Sequence, residues 1–278
     1  MNDIKFFYGG MVVLAVLVAA PCKGQDLPEQ PSSGGVLGSE SDPPGEPDET
    51  INQMLDRYAE FDLDEIEKTV EAFLKSKTVS ERVKYVRNGQ RVRPLMKKFY
   101  GGEKIQAEGL EKFDKSEVSF RGGFLTTMVE TGNYSTDPIA VERIEGKEIA
   151  YRVDWESWVG FCEVSPGEMK VQRPADPVLV RAIVSADHYF NFDFADDKKW
   201  KSYKLVFRHS EETFAGYAKV NSTAAKQLLI LHKENQSSPY LLRVAYPPGG
   251  RSKSQVEIVE VVESGWISGM SEKKKDGK

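Results

Sequence analysis

The first 24 residues constrain this chain most. Phe6 to Ala20 is apolar apart from Gly9 and Gly10, Lys5 precedes the run, and Pro21-Cys22-Lys23-Gly24 closes it. A basic residue, a short apolar stretch and small residues behind it form the pattern of a secretory targeting segment. A membrane-spanning helix needs about 20 apolar residues, and this run is shorter. Residues 1–24 are therefore expected to be a signal peptide or N-terminal membrane anchor. The protein is expected to be exported: periplasmic, membrane-anchored or secreted.

That address bears on the core. The chain has 278 residues and two cysteines, Cys22 and Cys162. If Cys22 is cleaved off or lipidated, no intramolecular disulfide can form, and stability must come from ordinary burial. An apolar content of 40 % is sufficient for that. Cys162 lies in an apolar stretch read as helical, so a buried thiol is expected there. A Cys directly after an apolar run resembles the bacterial lipoprotein signal, whose cysteine is acylated, and this makes Cys22 the lipidation candidate. Pro21 stands where that family has a small residue.

Residues 25–50 carry seven acidic residues, no Lys or Arg, five Pro, four Gly and four Ser. Such a stretch buries too little apolar surface to offset the entropy of ordering it. Residues 25–61 are read as a disordered acidic tether, and 268–278 as a disordered tail. Formal charge is −5 for the whole chain, yet 51–267 holds 32 basic and 33 acidic residues. A near-neutral body gives little electrostatic reason to bind polyanions, so nucleic acid is not an expected partner.

Helical periodicity begins after Asp62, with Leu63, Ile66, Val70, Phe73 and Leu74 on one face. Thr78-Val79-Ser80-Glu81 is a second helix start with a capping-box pattern, stopped by Asn88-Gly89. A third helix carries Val92, Leu95, Met96 and Phe99 and ends at Gly101-Gly102. Strands are predicted over 104–112, 116–130, 138–144 and 147–154. A helix follows with Trp155, Trp158 and Cys162 on one face, then a start at Ser165-Pro166-Gly167-Glu168. Arg173-Pro174 to Pro177 reads as a module boundary. Beyond it strands are predicted at 178–184, 202–208 and 213–220, a helix at 222–234, and strands at 240–246 and 255–262.

Three helices feeding a four-strand sheet resemble, in element order, the NTF2-like cone. The segment Gly146-Lys147 to Val153-Asp154-Trp155 is similar to the last strand of many such domains. The second half resembles an OB-fold, a five-stranded barrel with a helix between strands three and four. The expected class is α+β: an NTF2-like module of helices and a curved antiparallel sheet over 62–172, then a small OB-like β-barrel over 173–267. The chain also resembles a group of uncharacterised exported bacterial proteins. Tyr85-Val86-Arg87, Arg91-Val92-Arg93-Pro94-Leu95-Met96, Val153-Asp154-Trp155-Glu156-Ser157 and Gln255 to Val262 carry that resemblance. It implies no activity.

Chemical motifs are sparse. His188, His209 and His232 lack metal-ligand spacing, and no Gly-x-Ser-x-Gly, Walker or dinucleotide pattern occurs. The acids after His188, namely Asp193, Asp196 and Asp197, lack a calcium-loop pattern. No catalytic residue, metal or cofactor is expected. Cys162 could act as a nucleophile only with a base nearby in space. The basic run Arg82, Lys84, Arg87, Arg91, Arg93, Lys97 and Lys98 could meet an anionic surface or the chain's own tether. A solvated helix pair is the expected reading, since charge runs usually solvate a face. The expectation is an exported or membrane-tethered, non-catalytic binding or scaffold protein. Its partner is an unknown protein or small ligand held in the cone by Tyr85, Phe99, Val153 and Trp155. A cavity-based hydrolase or isomerase and a structural envelope protein are the alternatives.

Overall fold

A computed structural model describes residues 61–269 except 122, 147, 148 and 235. The targeting segment, Cys22, nearly all of the tether and most of the tail lie outside the described residues.

Helix α1, Leu63–Lys75, starts where Asp62 accepts from the backbone N–H groups of Asp64 and Glu65. This satisfies donors that a helix start otherwise leaves open. Ile66, Val70, Phe73 and Leu74 are fully buried on one face. Helix α2, Val79–Arg82, is opened by a complete Thr78–Glu81 capping box. It continues as a 3-10 turn, Val83–Tyr85. Asn88 then adopts a left-handed conformation and starts helix α3, Gly89–Phe99, so Asn88-Gly89 opens a helix where a stop was expected. Gly101 and Gly102 close α3: their N–H groups donate to Lys98 O and Lys97 O, the paired bonds of a Schellman end.

A curved antiparallel sheet follows: β1 Lys112–Phe113, β2 Ser119–Arg121, β3 Phe124–Glu130, β4 Thr136–Arg143 and β5 Tyr151–Val153. Its order is β1-β3-β4-β5, with β2 also on β3. Two expected strands are corrected. Over 104–112, Glu108 and Gly109 N–H groups donate to Leu74 O and Ile105 N–H to Lys77 O. Backbone 105–109 thus packs on the end of α1 and the residues just after it, and only the two ends of the expected strand make β pairings: Lys104 bridges Thr78, and Glu111 and Lys112 meet Glu130 of β3. The 116–130 stretch folds into a hairpin, β2 onto β3, closed by the Arg121–Phe124 pair.

Helix α4 is only Trp155–Trp158, capped by Asp154. The expected continuation to Cys162 fails because Gly160 is left-handed, at φ +62°, and the Gly160 and Phe161 N–H groups turn back to Ser157 O and Glu156 O; a side chain at 160 is disfavoured as well, since a Cβ there would lie 2.9 Å from Arg208 Cβ. Helix α5, Pro166–Gln172, carries the expected Ser165–Glu168 capping box with Pro166 in its first turn.

The remaining strands, β6 Val178–Asp187, β7 Trp200–Val206, β8 Thr213–Lys219, β9 Ser237–Ala245 and β10 Gln255–Ser264, close into a barrel. Taken as the barrel's strands one to five, they run one-two-three-five-four and back to one. Only the β8–β10 pair is parallel. Two register shifts in β10 let it bend from β8 to β9. The expected 222–234 helix breaks at Leu228 into α6, Thr223–Gln227, and α7, Leu229–Glu234.

The class is therefore α+β, a curved antiparallel sheet with helices plus a closed five-stranded barrel. Each half has its own core, and Phe61 to Gly269 falls within one compact unit. Polar contacts link the halves. Arg208 pairs with Asp137 at 2.7 Å. Arg181, fully buried, donates to Phe161 O and Trp266 O, each at 2.8 Å.

Candidate functional site

Val153 and Trp155 are packed into the core of the first half. Phe99 is 45 % exposed and meets Trp155 edge-on at 5.7 Å between ring centres. Tyr85 is half-buried against the same core. Val86 bridges Val153. The four predicted residues are thus neighbours of one core region.

Beside them lies a polar network that the sequence reading missed. Arg82, fully buried, donates to Tyr100 Oη at 3.0 Å and Glu108 Oε1 at 3.2 Å. Trp155 Nε1 donates to the same Tyr100 oxygen at 3.0 Å, and Trp158 Nε1 to Glu108 Oε2 at 3.1 Å. The Arg82 guanidinium lies 4.8 Å over the Phe73 ring. Burial pushes the Tyr100 phenol above its ordinary pKa, against the nearby Arg82 charge. Every group here has a partner inside the fold, although Arg82 Nε and Nη2 keep none. The network reads as structural.

The basic run is largely paired. Arg87 bridges Glu142 at 3.1 Å and Asp154 at 2.9 Å. Arg91 pairs with Glu156, Lys97 with Glu103 at 3.0 Å, and Arg93 donates to Ser80 Oγ. With Arg82 held by Glu108, four of the seven cations of the run meet a carboxylate. Cys162 is not on a helix. Its sulfur accepts from Arg181 N–H at 3.4 Å, and burial pushes the thiol up to about 11. A thiol this resistant to ionisation is a poor nucleophile.

Two concave sites are described, and neither includes Tyr85, Phe99, Val153 or Trp155. One, about 400 Å³, lies against α1 among Asp64, Glu67, Lys68, Glu71 and Glu111. Lys115 pairs with Asp64 and Glu67 there, at 2.6 and 2.7 Å. The other, about 310 Å³, is a groove on the barrel wall lined by Asp187, Tyr189, Lys204, Thr213, Ser254 and Gln255, among others. It combines an exposed aromatic, one charge of each sign and several hydroxyls.

Gln255 distinguishes this groove. It is 2 % exposed. Its Nε2 donates to Tyr217 Oη at 2.9 Å and Asn191 O at 3.4 Å. Tyr217 Oη in turn donates to Tyr189 O at 2.9 Å, which also receives Ser202 Oγ at 3.0 Å. Two carbonyl acceptors in this chain fix the amide orientation, because each must receive a hydrogen. Gln255 Oε1 is left buried with no partner. Burial pushes the Tyr217 phenol up to about 12, so it stays protonated and continues to donate. Phe194 stacks on Tyr217 at 4.1 Å, and Arg251 N–H donates to Asp193 at 2.8 Å. The stack ties the 188–199 loop to β8, and the hydrogen bond ties it to the 247–254 loop. Gln255 opens a Val- and Ile-rich strand, and a polar residue at that point was the only sequence signal for this site.

Among the described residues no three or more His, Cys, Asp or Glu side chains are grouped to hold a metal. Among them, too, no helix is long and apolar enough to cross a membrane. No family model, curated protein or solved structure matches this chain.

Proposed function

We propose that this is an exported or membrane-tethered, non-catalytic binding protein that takes a small ligand or a partner segment in the barrel groove. Its first half would be an NTF2-like support and its second an OB-like binding module. The order one-two-three-five-four with helices between strands three and four supports the OB-like reading. Three helical segments ahead of a curved antiparallel sheet support the NTF2-like one. Residues 1–24 would carry the chain outward, with the acidic tether holding the body away from a membrane.

The carrying observation is Gln255, which lines the groove and whose buried Oε1 has no partner. A buried acceptor without a partner costs roughly 1–3 kcal/mol, and a ligand N–H or O–H would remove that cost. The adjacent Tyr189 ring, 46 % exposed, offers a face for the ligand's less polar side. Lys204 and Asp187 balance in charge, which favours a polar ligand of low net charge.

Screening the purified chain against small polar ligands by thermal shift tests this reading. A hit should be weakened at least about tenfold by Gln255→Leu, the fold-change that corresponds to about 1.4 kcal/mol. Turnover of a substrate, lost on mutation of one groove residue, would overturn the non-catalytic assignment. Cell fractionation that finds an intact N-terminus only in the cytosol would overturn the export assignment.

A further inference from the structure

We propose that His188 and His232 together bind one divalent transition-metal ion at the helix-covered end of the barrel. The two residues are 44 apart in the chain (232 minus 188), and the fold brings their ring centres to 6.1 Å. Helices α6 and α7 do this. Leu228 and Leu231 are buried in the barrel core and dock the helical segment, and His232 follows Leu231. His188 comes from the other side, one residue past the end of β6.

Two orphaned polar atoms mark the place. His232 Nε2 is buried and has no hydrogen-bond partner. Tyr203, fully buried on β7, meets the His232 ring edge-on at 5.0 Å, and its hydroxyl is also buried without a partner. Native structures rarely leave such atoms unsatisfied, and each one calls for an explanation. An ion satisfies both at once. The imidazoles supply ring nitrogens, and a metal-bound water gives the phenol a partner. Two imidazoles sharing one ion at about 2.0–2.1 Å per bond place their ring centres roughly 5–6 Å apart. The observed separation needs little closure, and exposed His188 can supply it.

Imidazole ligands suit zinc, copper and nickel, and the general affinity order puts copper(II) above zinc. The nearby Lys201 charge opposes every divalent cation alike, so it lowers affinity without changing that order.

The test is calorimetric titration of the untagged full chain, stripped with a chelator, against copper(II) and zinc chlorides. One equivalent should bind, copper more tightly than zinc. His188→Ala and His232→Ala should each abolish that equivalent, whereas His209→Ala should retain it. Tyr203→Phe keeps the ring packing and should weaken binding by about tenfold or more. Electron paramagnetic resonance of the copper form should show coupling to two imidazole nitrogens. Should His232→Ala fail to fold, the exposed His188→Ala variant and this spectrum still decide. The inference is overturned if no equivalent binds, if binding survives both alanine variants, or if it follows His209.

Discussion

Tyr100→Phe tests the buried network most directly. The substitution keeps the ring, so it opens no cavity and leaves the edge-on contacts with Phe99 in place. It removes one oxygen that accepts from both Arg82 Nη1 and Trp155 Nε1. Trp155 is 1 % exposed and Arg82 fully buried, so water cannot easily replace that acceptor. An orphaned buried donor costs roughly 1–3 kcal/mol. Arg82 Nη1 keeps Glu108 Oε1, so its loss falls at the lower end. Together the two losses should come to about 3 kcal/mol. For a unit of this size that corresponds to a melting point lower by about 6–12 °C. Urea unfolding followed by tryptophan fluorescence gives the free energy directly. Pairing Tyr100→Phe with Arg82→Met sharpens the test. Replacing both partners with apolar groups should be less harmful than the sum of the single changes. A loss below about 0.5 kcal/mol for Tyr100→Phe would refute the reasoning, since surface changes fall within that band. Full additivity in the double variant would refute the coupling.

Two glycines with left-handed backbones should respond unequally. Gly101→Ala, at φ +70° with nothing within 4 Å of the new Cβ, should cost only the conformational 1–2 kcal/mol or so. Gly160→Ala adds a 2.9 Å clash with Arg208 Cβ, and overpacking adds about 1–3 kcal/mol. Equal losses in urea melts would show that the Arg208 contact adds nothing to the backbone cost at Gly160. His209 gives the pH dependence. Its pKa is lowered, first by burial and next by Arg208, against the opposing Asp137 and Glu108. The unfolded chain therefore binds more protons, and stability should fall as pH drops below about 6.5. His209→Asn tolerates the φ of +54° and cannot titrate. Its melting point should fall less than wild type between pH 7.5 and 5.5, measured in chelator. Glu103, held to about 2 chiefly by its Ser80 hydrogen bond, loses its contribution only below that range. Parallel slopes for the two proteins would rule out His209 as the source.

What the sequence revealed and what it hid divide by the distance over which an interaction acts. Asp62, the Thr78–Glu81 box, the Ser165–Glu168 box and the Gly101-Gly102 end were legible because each cap is closed within a few residues. The barrel strands were legible from alternation, to within a few residues at their ends. Most of the 104–112 stretch was not, since its apolar residues look the same whether the backbone bonds a strand or the end of α1. The helix expected through Cys162 stops instead at a local signal that was passed over, left-handed Gly160, whose N–H and that of Phe161 turn back to Ser157 O and Glu156 O. Sites suffer most from this limit. The groove is assembled from the end of β6, from β7, from β8 and from the start of β10, and its defining property is a missing partner, which no spacing can display. The basic run shows the converse. As a string it offered a solvated helix face or a surface for anions, yet Arg82, Arg87 and Arg91 meet carboxylates brought from elsewhere in the fold and Lys97 meets Glu103 just past its own helix. The near-neutral charge of residues 51–267 was the better guide, because a balanced total leaves enough acids for such pairing. A charge run in a neutral body is therefore first a candidate for internal pairing, and becomes a binding surface only after its partners in the fold have been counted.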